Sequence, residues 1–514
     1  MVISVLASGF LFTDHYQLTM AQLYHRFGLH DRLAQFDYSY RSNPDYGTHQ
    51  AGYAVTAGLG PLLDWMDRTR VEPADTAALG ALQSAAGTPM FSRDFLEWMS
   101  SAAYSAVSMW AVPEGRIVHP NTPLAVVEAP LAIAQMLETP LLNHLNYASL
   151  IATKASRVVE AAHEGPVFEF GMRRAPGWGA NDATRAALIG GATASSNLGM
   201  SLELGLASQG THGHSMVQVF MSIAGGELEA FRAYADVYPD NCLLLVDTID
   251  TLGSGVPNAV RVFEELRSAG HEPRGIRLDS GDLAHLAVRS ARMLNEAGFP
   301  DVRIVLSSQL DELTIWQIRN QIIDEAPRYE VEAASVLARL VYGVGSRMVT
   351  SHGDSSFDGV YKVVAVQNAS REWRPAIKIS DSPAKLAYPG RKGLWRVYDQ
   401  RGIATADLVT LAEETPDGRP LHLIHPVQAG VGRVLGDEEI SDTEPLLIPI
   451  CAKGRRVVDL GGVAEARSRR VADLGRLDPG VRRLVNPHTY HVSLSPRLVD
   501  LKQTMMDALV EIPG

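Results

Sequence analysis

The sequence predicts an α/β fold, an irregular (β/α) barrel in the middle of the chain flanked by mixed α+β segments. Three observations carry that expectation. Apolar β-type runs recur, each stopping on a polar residue: Leu243-Leu-Leu-Val-Asp-Thr248, Gly275-Ile-Arg-Leu-Asp-Ser280 and Val302-Arg-Ile-Val-Leu-Ser307. Short Val/Ile/Leu runs bounded by turn signals suit strands buried on both faces, as in a parallel sheet. The segments between them have helical periodicity, and each strand–helix unit takes about thirty residues, the usual size of a βαβ repeat. After about residue 356 the texture changes to short alternating runs, which read as antiparallel sheet.

Taken in order, residues 1–138 mix helix-like stretches with strands such as Leu33-Ala-Gln-Phe-Asp-Tyr38 and Leu124-Ala-Val-Val-Glu-Ala129. Residues 139–355 form the barrel region. Its strand Pro166-Val-Phe-Glu-Phe170 ends on Gly171-Met-Arg-Arg174. One helix is opened by Ser254, Gly255 and Pro257 and closed by Gly270, with Val256, Ala259, Val260, Phe263 and Leu266 on its inner face. The next follows Asp282, turns Leu283, Leu286, Ala287, Ala291, Leu294 and Ala297 inward, and ends at Gly298. A strand near Leu340 runs into Gly343-Val-Gly-Ser-Arg347. Residues 356–514 open with Val360-Tyr-Lys-Val-Val-Ala-Val366. A hairpin then joins Leu394-Trp-Arg-Val-Tyr398 to Ile403-Ala-Thr-Ala-Asp-Leu-Val409 around Asp399-Gln-Arg-Gly402. Arg-rich stretches at 466–470 and 482–483 read as solvated helix faces.

With 514 residues the chain exceeds one hydrophobic core, so two or three domains are expected. Its net charge of −12 argues against nucleic acid or an anionic membrane as the main partner. The two cysteines, Cys242 and Cys451, lie beside apolar runs and read as buried, reduced thiols. The N-terminal stretch lacks the basic start of a signal peptide, and no apolar run reaches membrane-spanning length. The expectation is a cytoplasmic protein.

Polar residues at the ends of parallel strands are how such folds build a site. Gly210-Thr-His-Gly-His-Ser215 is the densest cluster. It fits structural loop histidines, two imidazole ligands for zinc, or a nucleophilic histidine in an anion-binding turn. Arg277-Leu-Asp-Ser-Gly-Asp282 adds a guanidinium, carboxylates and a hydroxyl at a helix start, where phosphate is welcome. Gly343-Val-Gly-Ser-Arg347 is a second Gly/Ser turn with its own arginine, and the two together suggest a phosphorylated sugar ligand.

In combination these phrases resemble the nicotinate phosphoribosyltransferase family. The resemblance runs from Thr13 to about Gly393 through Thr13-Asp-His-Tyr-Gln-Leu-Thr-Met20, Glu169-Phe-Gly-Met-Arg-Arg174, Ser195-Ser-Asn197, the 210–215 cluster, Val246-Asp-Thr-Ile-Asp-Thr251, the 277–282 turn, Gly343-Val-Gly-Ser-Arg347 and Gly359-Val-Tyr-Lys362. It implies a barrel beside a sandwich-like α+β domain built from N- and C-terminal segments. It also implies synthesis of nicotinate mononucleotide from nicotinate and 5-phosphoribosyl 1-pyrophosphate, with ATP as co-substrate and Mg²⁺ as cofactor. A homodimer with shared active sites follows from it as well. By position, His214 matches the histidine that ATP phosphorylates, Tyr16 an aromatic lent by the partner subunit, and Phe170 the aromatic on the other face of the pyridine. Arg173 and Arg277 match cationic substrate contacts, Asn197 a polar group near the base and Asp279 a ribose-binding carboxylate. Gly343, Gly345 and Arg347 match the turn that holds the 5-phosphate.

The side-chain chemistry agrees. A flat pyridine suits an aromatic sandwich, and arginines suit a carboxylate and several phosphates. His214, Arg277 and Asp279 are the candidate catalytic residues. Thr211, Ser215, Ser280, Gly281 and Ser308 complete the candidate substrate contacts, and no residue is assigned to a metal. The sequence departs from the family pattern where Ser308 and Gln309 stand in place of an amide and an acid, and in the longer, more polar stretch at 43–52. Alternatives are a phosphoribosyltransferase for nicotinamide or another pyridine, a catalytically silent nucleotide-binding subunit, and a metal-dependent amidohydrolase barrel with His212 and His214 as ligands.

Overall fold

A computed structural model describes residues 5–376, 388–418, 420–428 and 430–510. It divides into two compact units, residues 151–355 and residues 1–150 together with 356–514. The division falls inside the long helix Glu138–Ala162. The composition-based boundary at 138/139 marks the start of that helix instead.

The 151–355 unit is built on six strands: β1 (Val167–Glu169), β2 (Ala194–Ser195), β3 (Leu243–Leu245), β4 (Gly275–Leu278), β5 (Arg303–Ser307) and β6 (Leu340–Val344). All pair in parallel, in the order β2-β1-β6-β5-β4-β3. Chain order therefore runs round the sheet as in a barrel, and among the described residues the ladder is interrupted between β2 and β3. The 209–212 segment spans that gap: the Gln209 N–H donates to the Ser195 carbonyl at 2.8 Å, and the Leu245 N–H to His212 Nε2 at 3.1 Å. This is the irregularity of the barrel.

The strands are apolar because both faces are covered, and Leu244, Ile276, Leu278, Ile304, Leu306 and Tyr342 are fully buried. Two ladders end before the polar tails read as part of them, so Asp247, Thr248, Asp279 and Ser280 are freed to form a rim. The intervening helices are Val256–Ser268 and Leu283–Glu296. On the first, Val262 is buried in place of Val260; on the second, Ala284 and Val288 are buried while Leu286 and Ala297 are partly exposed. Both buried stripes are slightly rotated from the inner faces the sequence pattern gives. Gly255 opens the first helix because a Cβ there would lie 1.8 Å from the Val246 carbonyl oxygen.

In the other unit, strands from both ends of the chain interleave. The seven-stranded sheet runs Trp373–Pro375, Gly359–Gln367, Leu33–Tyr40, Pro123–Pro130, Ser108–Ala111, Ile448–Ala452, Arg455–Arg456, all antiparallel. A six-stranded sheet contains the expected hairpin, Lys392–Tyr398 with Ala404–Leu411, closed by the Gly402 N–H on the Asp399 carbonyl. It also holds one parallel pair, Ala404–Leu411 with Val492–Leu494, which hairpin reasoning does not anticipate. Behind it Arg396 makes a two-pronged contact with Asp407 and reaches Asp473, while Arg116 joins Asp473 to Glu444. The Arg-rich 466–470 stretch is not wholly solvated: it lies on the helix Val463–Gly475 with Arg470 buried, while Arg482 lies in a turn and Arg483 outside any regular element. Cys242 and Cys451 are buried free thiols, pushed up to about 12 and about 11 by burial. Among the described residues no helix is long and apolar enough to cross a membrane.

Candidate active site

At the C-terminal ends of the parallel strands lies a cavity of about 480 Å³, lined by arginines and small polar groups. Arg277 leaves β4 and is fixed twice: Nε donates to Ser307 Oγ at 2.8 Å, and a terminal nitrogen to Asp279 Oδ1 at 3.0 Å. Its guanidinium carbon stands 5.6 Å from the centre of the Phe170 ring, within cation–π range. Phe170 follows β1, its N–H donating to the Val344 carbonyl at 2.8 Å. The ring lies directly against Gly343, where a Cβ would come within 2.6 Å of Cδ2 and Cε2. That glycine is the space the aromatic ring occupies.

Glu169 holds the turn that carries Phe170. Wholly buried, its carboxylate accepts the Gly171 N–H, the Thr184 hydroxyl at 3.0 Å and the Ser195 hydroxyl at 2.6 Å. Arg173 and Arg174, two and three residues beyond Gly171, are exposed and line the cavity. On the opposite wall Arg347 donates to Asp311 Oδ2. Ser308 and Gln309 line the cavity in the left-handed region, φ 94° and 46°, an uncommon pairing for two non-glycine residues and one that clusters at functional sites.

His214 is the first residue of the helix His214–Ile223 and is about one-third exposed. Its Nδ1 lies 3.1 Å from Thr248 Oγ1, and its Nε2 lies 3.6 Å from Asp279 Oδ2 and 3.9 Å from Asp247 Oδ1. Asp247 is buried at its side chain; Oδ2 accepts the Asp279 N–H and the Ser280 hydroxyl, while Oδ1 has no hydrogen-bond partner. Thr211 Oγ1 is likewise buried and unpartnered. His212 has a different character. Its Nε2 accepts the Leu245 N–H, its ring packs on Tyr234, and burial first, then Arg277 and His214, push it down to about 4. A neutral imidazole whose acceptor nitrogen is taken is poorly placed as a metal ligand. Among the described residues no group of three or more His, Cys, Asp or Glu could hold a metal.

The cavity thus gathers Phe170, Arg173, Arg277, Asp279, Ser308, Gly343, Gly345 and Arg347 from the sequence candidates, and His214 stands beside it through Asp279. Ser215 is exposed one residue along the helix, and Gly281, at φ +77°, precedes the Asp282 cap. Asn197 is not a lining residue. It is buried as the N-cap of the helix Leu198–Glu203, accepting the Met200 N–H and donating to Asn181 and Thr184. Tyr16 is half exposed on the helix His15–Arg26 of the other unit. Lining residues not among the sequence candidates are Arg174, Ser307, Gln309, Leu310, Ser346 and His352. Arg174, Ser307 and Ser346 stand inside quoted motifs; nothing in the sequence marks His352.

Comparison with known proteins places this geometry. Residues 11–146 match the nicotinate phosphoribosyltransferase (NAPRTase) N-terminal domain and residues 391–502 the nicotinate phosphoribosyltransferase C-terminal domain. The chain is 35% identical to nicotinate phosphoribosyltransferase of Bacillus subtilis over 94% of its own length and 92% of that protein's. The chain belongs to the nicotinate phosphoribosyltransferase family. A second family member, nicotinate phosphoribosyltransferase pncB2 of Mycobacterium tuberculosis, is 33% identical, covering 96% of this chain and 92% of that one. The crystal structure of human nicotinic acid phosphoribosyltransferase superposes with a TM-score of 0.78 at 29% identity, covering 96% of this chain and 99% of that one. The nicotinate phosphoribosyltransferase fold is therefore the fold of this protein, barrel and two-ended α+β unit together.

Proposed function

We propose that this protein joins nicotinate to 5-phosphoribosyl 1-pyrophosphate, giving nicotinate mononucleotide and pyrophosphate, and that ATP drives the reaction through a phosphohistidine at His214. The observation that carries the reading is one cavity in which an aromatic face, Phe170, is ringed by Arg173, Arg174, Arg277 and Arg347 in a chain of this family. Phe170 offers one face to a pyridine, and the arginines neutralise its carboxylate and the donor's phosphates. The pyridine nitrogen is already nucleophilic. It forms the bond to ribose C1 as the C1–O bond to pyrophosphate breaks, so the site's tasks are alignment and charge stabilisation rather than proton removal.

His214 fits the coupling role because Nδ1 is turned to Thr248, leaving Nε2 to accept the γ-phosphoryl group of ATP while ADP departs. Mg²⁺ belongs to the same reading, and the donor set fits it. Asp247, with its unpartnered buried oxygen, and Asp279 would hold the ion, the donor's phosphate oxygens completing its shell. When bound it supplies positive charge to the leaving pyrophosphate. The same reading includes a homodimer in which Tyr16 reaches the partner's site; full activity at dilutions where only monomer survives would remove that part.

Incubating the protein with the sugar donor, ATP and each pyridine in turn, and identifying the nucleotide formed, tests the assignment. Nicotinate should be preferred over nicotinamide by roughly ten- to a hundred-fold, the worth of a charge-assisted contact of about 1.5–3 kcal/mol. Comparable catalytic efficiencies for acid and amide would overturn the substrate reading.

A further inference from the structure

We propose that Asp311 is a positioning residue for Arg347, holding the guanidinium at the cavity wall before a phosphorylated substrate arrives. The inference deepens the proposed function, since it rests on Arg347 meeting the phosphate of the sugar donor. The carboxylate of Asp311 is divided between two tasks. Oδ1 caps the helix Glu312–Glu325 by accepting the Thr314 N–H at 2.8 Å, and Oδ2 accepts a hydrogen bond from one terminal nitrogen of Arg347. Burial alone would raise this carboxyl, but the Thr314 N–H, its hydroxyl and Arg347 bring it below the usual carboxylate range, so it is ionised at neutral pH. One oxygen is thus tied to a rigid helix end and the other to an arginine whose side chain is about one-quarter exposed. Tying one terminal nitrogen restricts the rotamers of Arg347 and leaves the rest of its planar fork for a ligand.

The anchor itself is firm. Glu312, wholly buried beside Asp311, pairs with Lys154 at 2.8 Å and Arg157 at 3.3 Å, both from the helix Glu138–Ala162. Four residues connect β5 to the anchored helix. Ser308 and Gln309 bend it through the left-handed region and Leu310, 1% exposed, pins it inward, so that Asp311 is delivered opposite Arg347. Arg347 itself sits on the one-turn helix Ser346–Val349, too short to fix a long side chain unaided. Holding such a side chain in advance removes an ordering cost that binding would otherwise meet.

The test compares Asp311→Asn, Arg347→Gln and the double variant by steady-state kinetics and thermal melting. The amide oxygen that Asp311→Asn introduces still accepts the Thr314 N–H, so the helix cap survives while the charge is lost. Asp311→Asn should raise KM for the sugar donor on the order of ten-fold, with kcat and KM for nicotinate within about two-fold. Arg347→Gln should raise the donor KM further, and the double variant should match it. Asp311→Ser, which keeps a capping hydroxyl too short to reach the guanidinium, should repeat the result of Asp311→Asn if that variant lowers the melting temperature. A donor KM unchanged or lowered by Asp311→Asn, or additive effects in the double variant, would overturn the positioning role while leaving Arg347 as the phosphate contact. A donor KM unchanged in Arg347→Gln would instead overturn the phosphate reading, and this inference with it.

Discussion

Replacing Gly343 by alanine tests whether the aromatic platform of the site is set by one missing methyl group. The added Cβ would stand 2.6 Å from both Cδ2 and Cε2 of Phe170, against 3.4 Å from Ser307 Cβ. Gly343 is not among the residues at positive φ, so alanine meets no backbone penalty there and the effect is steric alone. Since carbon atoms settle at about 3.5 Å or more, the ring must move by about an ångström. The Phe170 backbone is held to the Val344 carbonyl, so the movement falls on the ring. Overpacking of this kind costs about 1–3 kcal/mol of stability. A misplacement of about 1 Å at a substrate platform costs on the order of a hundred-fold in rate. The assay is kcat/KM for nicotinate at saturating sugar donor, read beside the melting temperature. On a Phe170→Ala background there is no ring to displace, and Gly343→Ala should cost almost nothing further. A Gly343→Ala enzyme with wild-type kcat/KM would refute the reasoning, as would an equal loss in the Phe170→Ala background.

Three further outcomes are expected. His214→Asn should abolish ATP hydrolysis and acid-labile phosphate on the protein while leaving slow ribosyl transfer, because in the proposed reaction the arginines would act at the sugar donor directly; His212→Asn should be milder, and labelling of His212 instead would reverse the two roles. Asp407→Asn should destabilise the α+β unit by about 3 kcal/mol in denaturant titration, because the buried Arg396 loses its two-pronged ionic partner and keeps Asp473 and the Ile117 carbonyl; a midpoint shift worth well under 1 kcal/mol would show the network to be dispensable. Acid should weaken the fold through His212, whose folded value of about 4 lies below its ordinary 6.5: its contribution is intact above about pH 6.5, falls as the unfolded chain takes the proton first, and is gone below about 4, a loss of about 3 kcal/mol. His144, pushed by burial to about 4, acts in the same window, so His212→Gln should flatten the pH profile of stability without abolishing its slope.

What the chain discloses before folding depends on the range over which each property is decided. Strand β4 is legible because Gly275-Ile-Arg-Leu is apolar at the positions a two-sided burial needs, and Arg277 and Asp279 read as rim residues because they stand where that pattern stops. Local chemistry alone cannot separate ligand contact from helix cap, since an asparagine amide serves both. Asn197 reads as a substrate contact and is found capping Leu198–Glu203, hydrogen-bonded to Asn181 and Thr184, 16 and 13 residues away. Arg470 is misread because its neighbours Arg467 and Arg469 suggest a solvated face, but a helix turns each residue through about 100°, and the next position can point into the core.

The least legible property is which charges neutralise one another inside the site. Arg347 is held by Asp311, thirty-six residues away, a distance over which no periodicity operates, whereas Arg277 pairs with Asp279 inside its own motif and gains the Ser307 hydroxyl, thirty residues away, only in the fold. The sequence shows a cationic rim; the fold shows that two of its arginines already carry oxygen partners. A phosphate binding there adds to an existing pair rather than to a bare cation. Its affinity should therefore respond to the carboxylates as well as to the arginines, and Asp279 and Asp311 become part of the specificity for a polyanionic sugar. Arg173 and Arg174, exposed on the turn held by Glu169, line the same cavity as the aromatic ring. In the proposed reaction the two kinds of arginine would divide the ligand between them: the anchored pair would meet phosphate, where geometry must be fixed for displacement at C1, and the exposed pair the base.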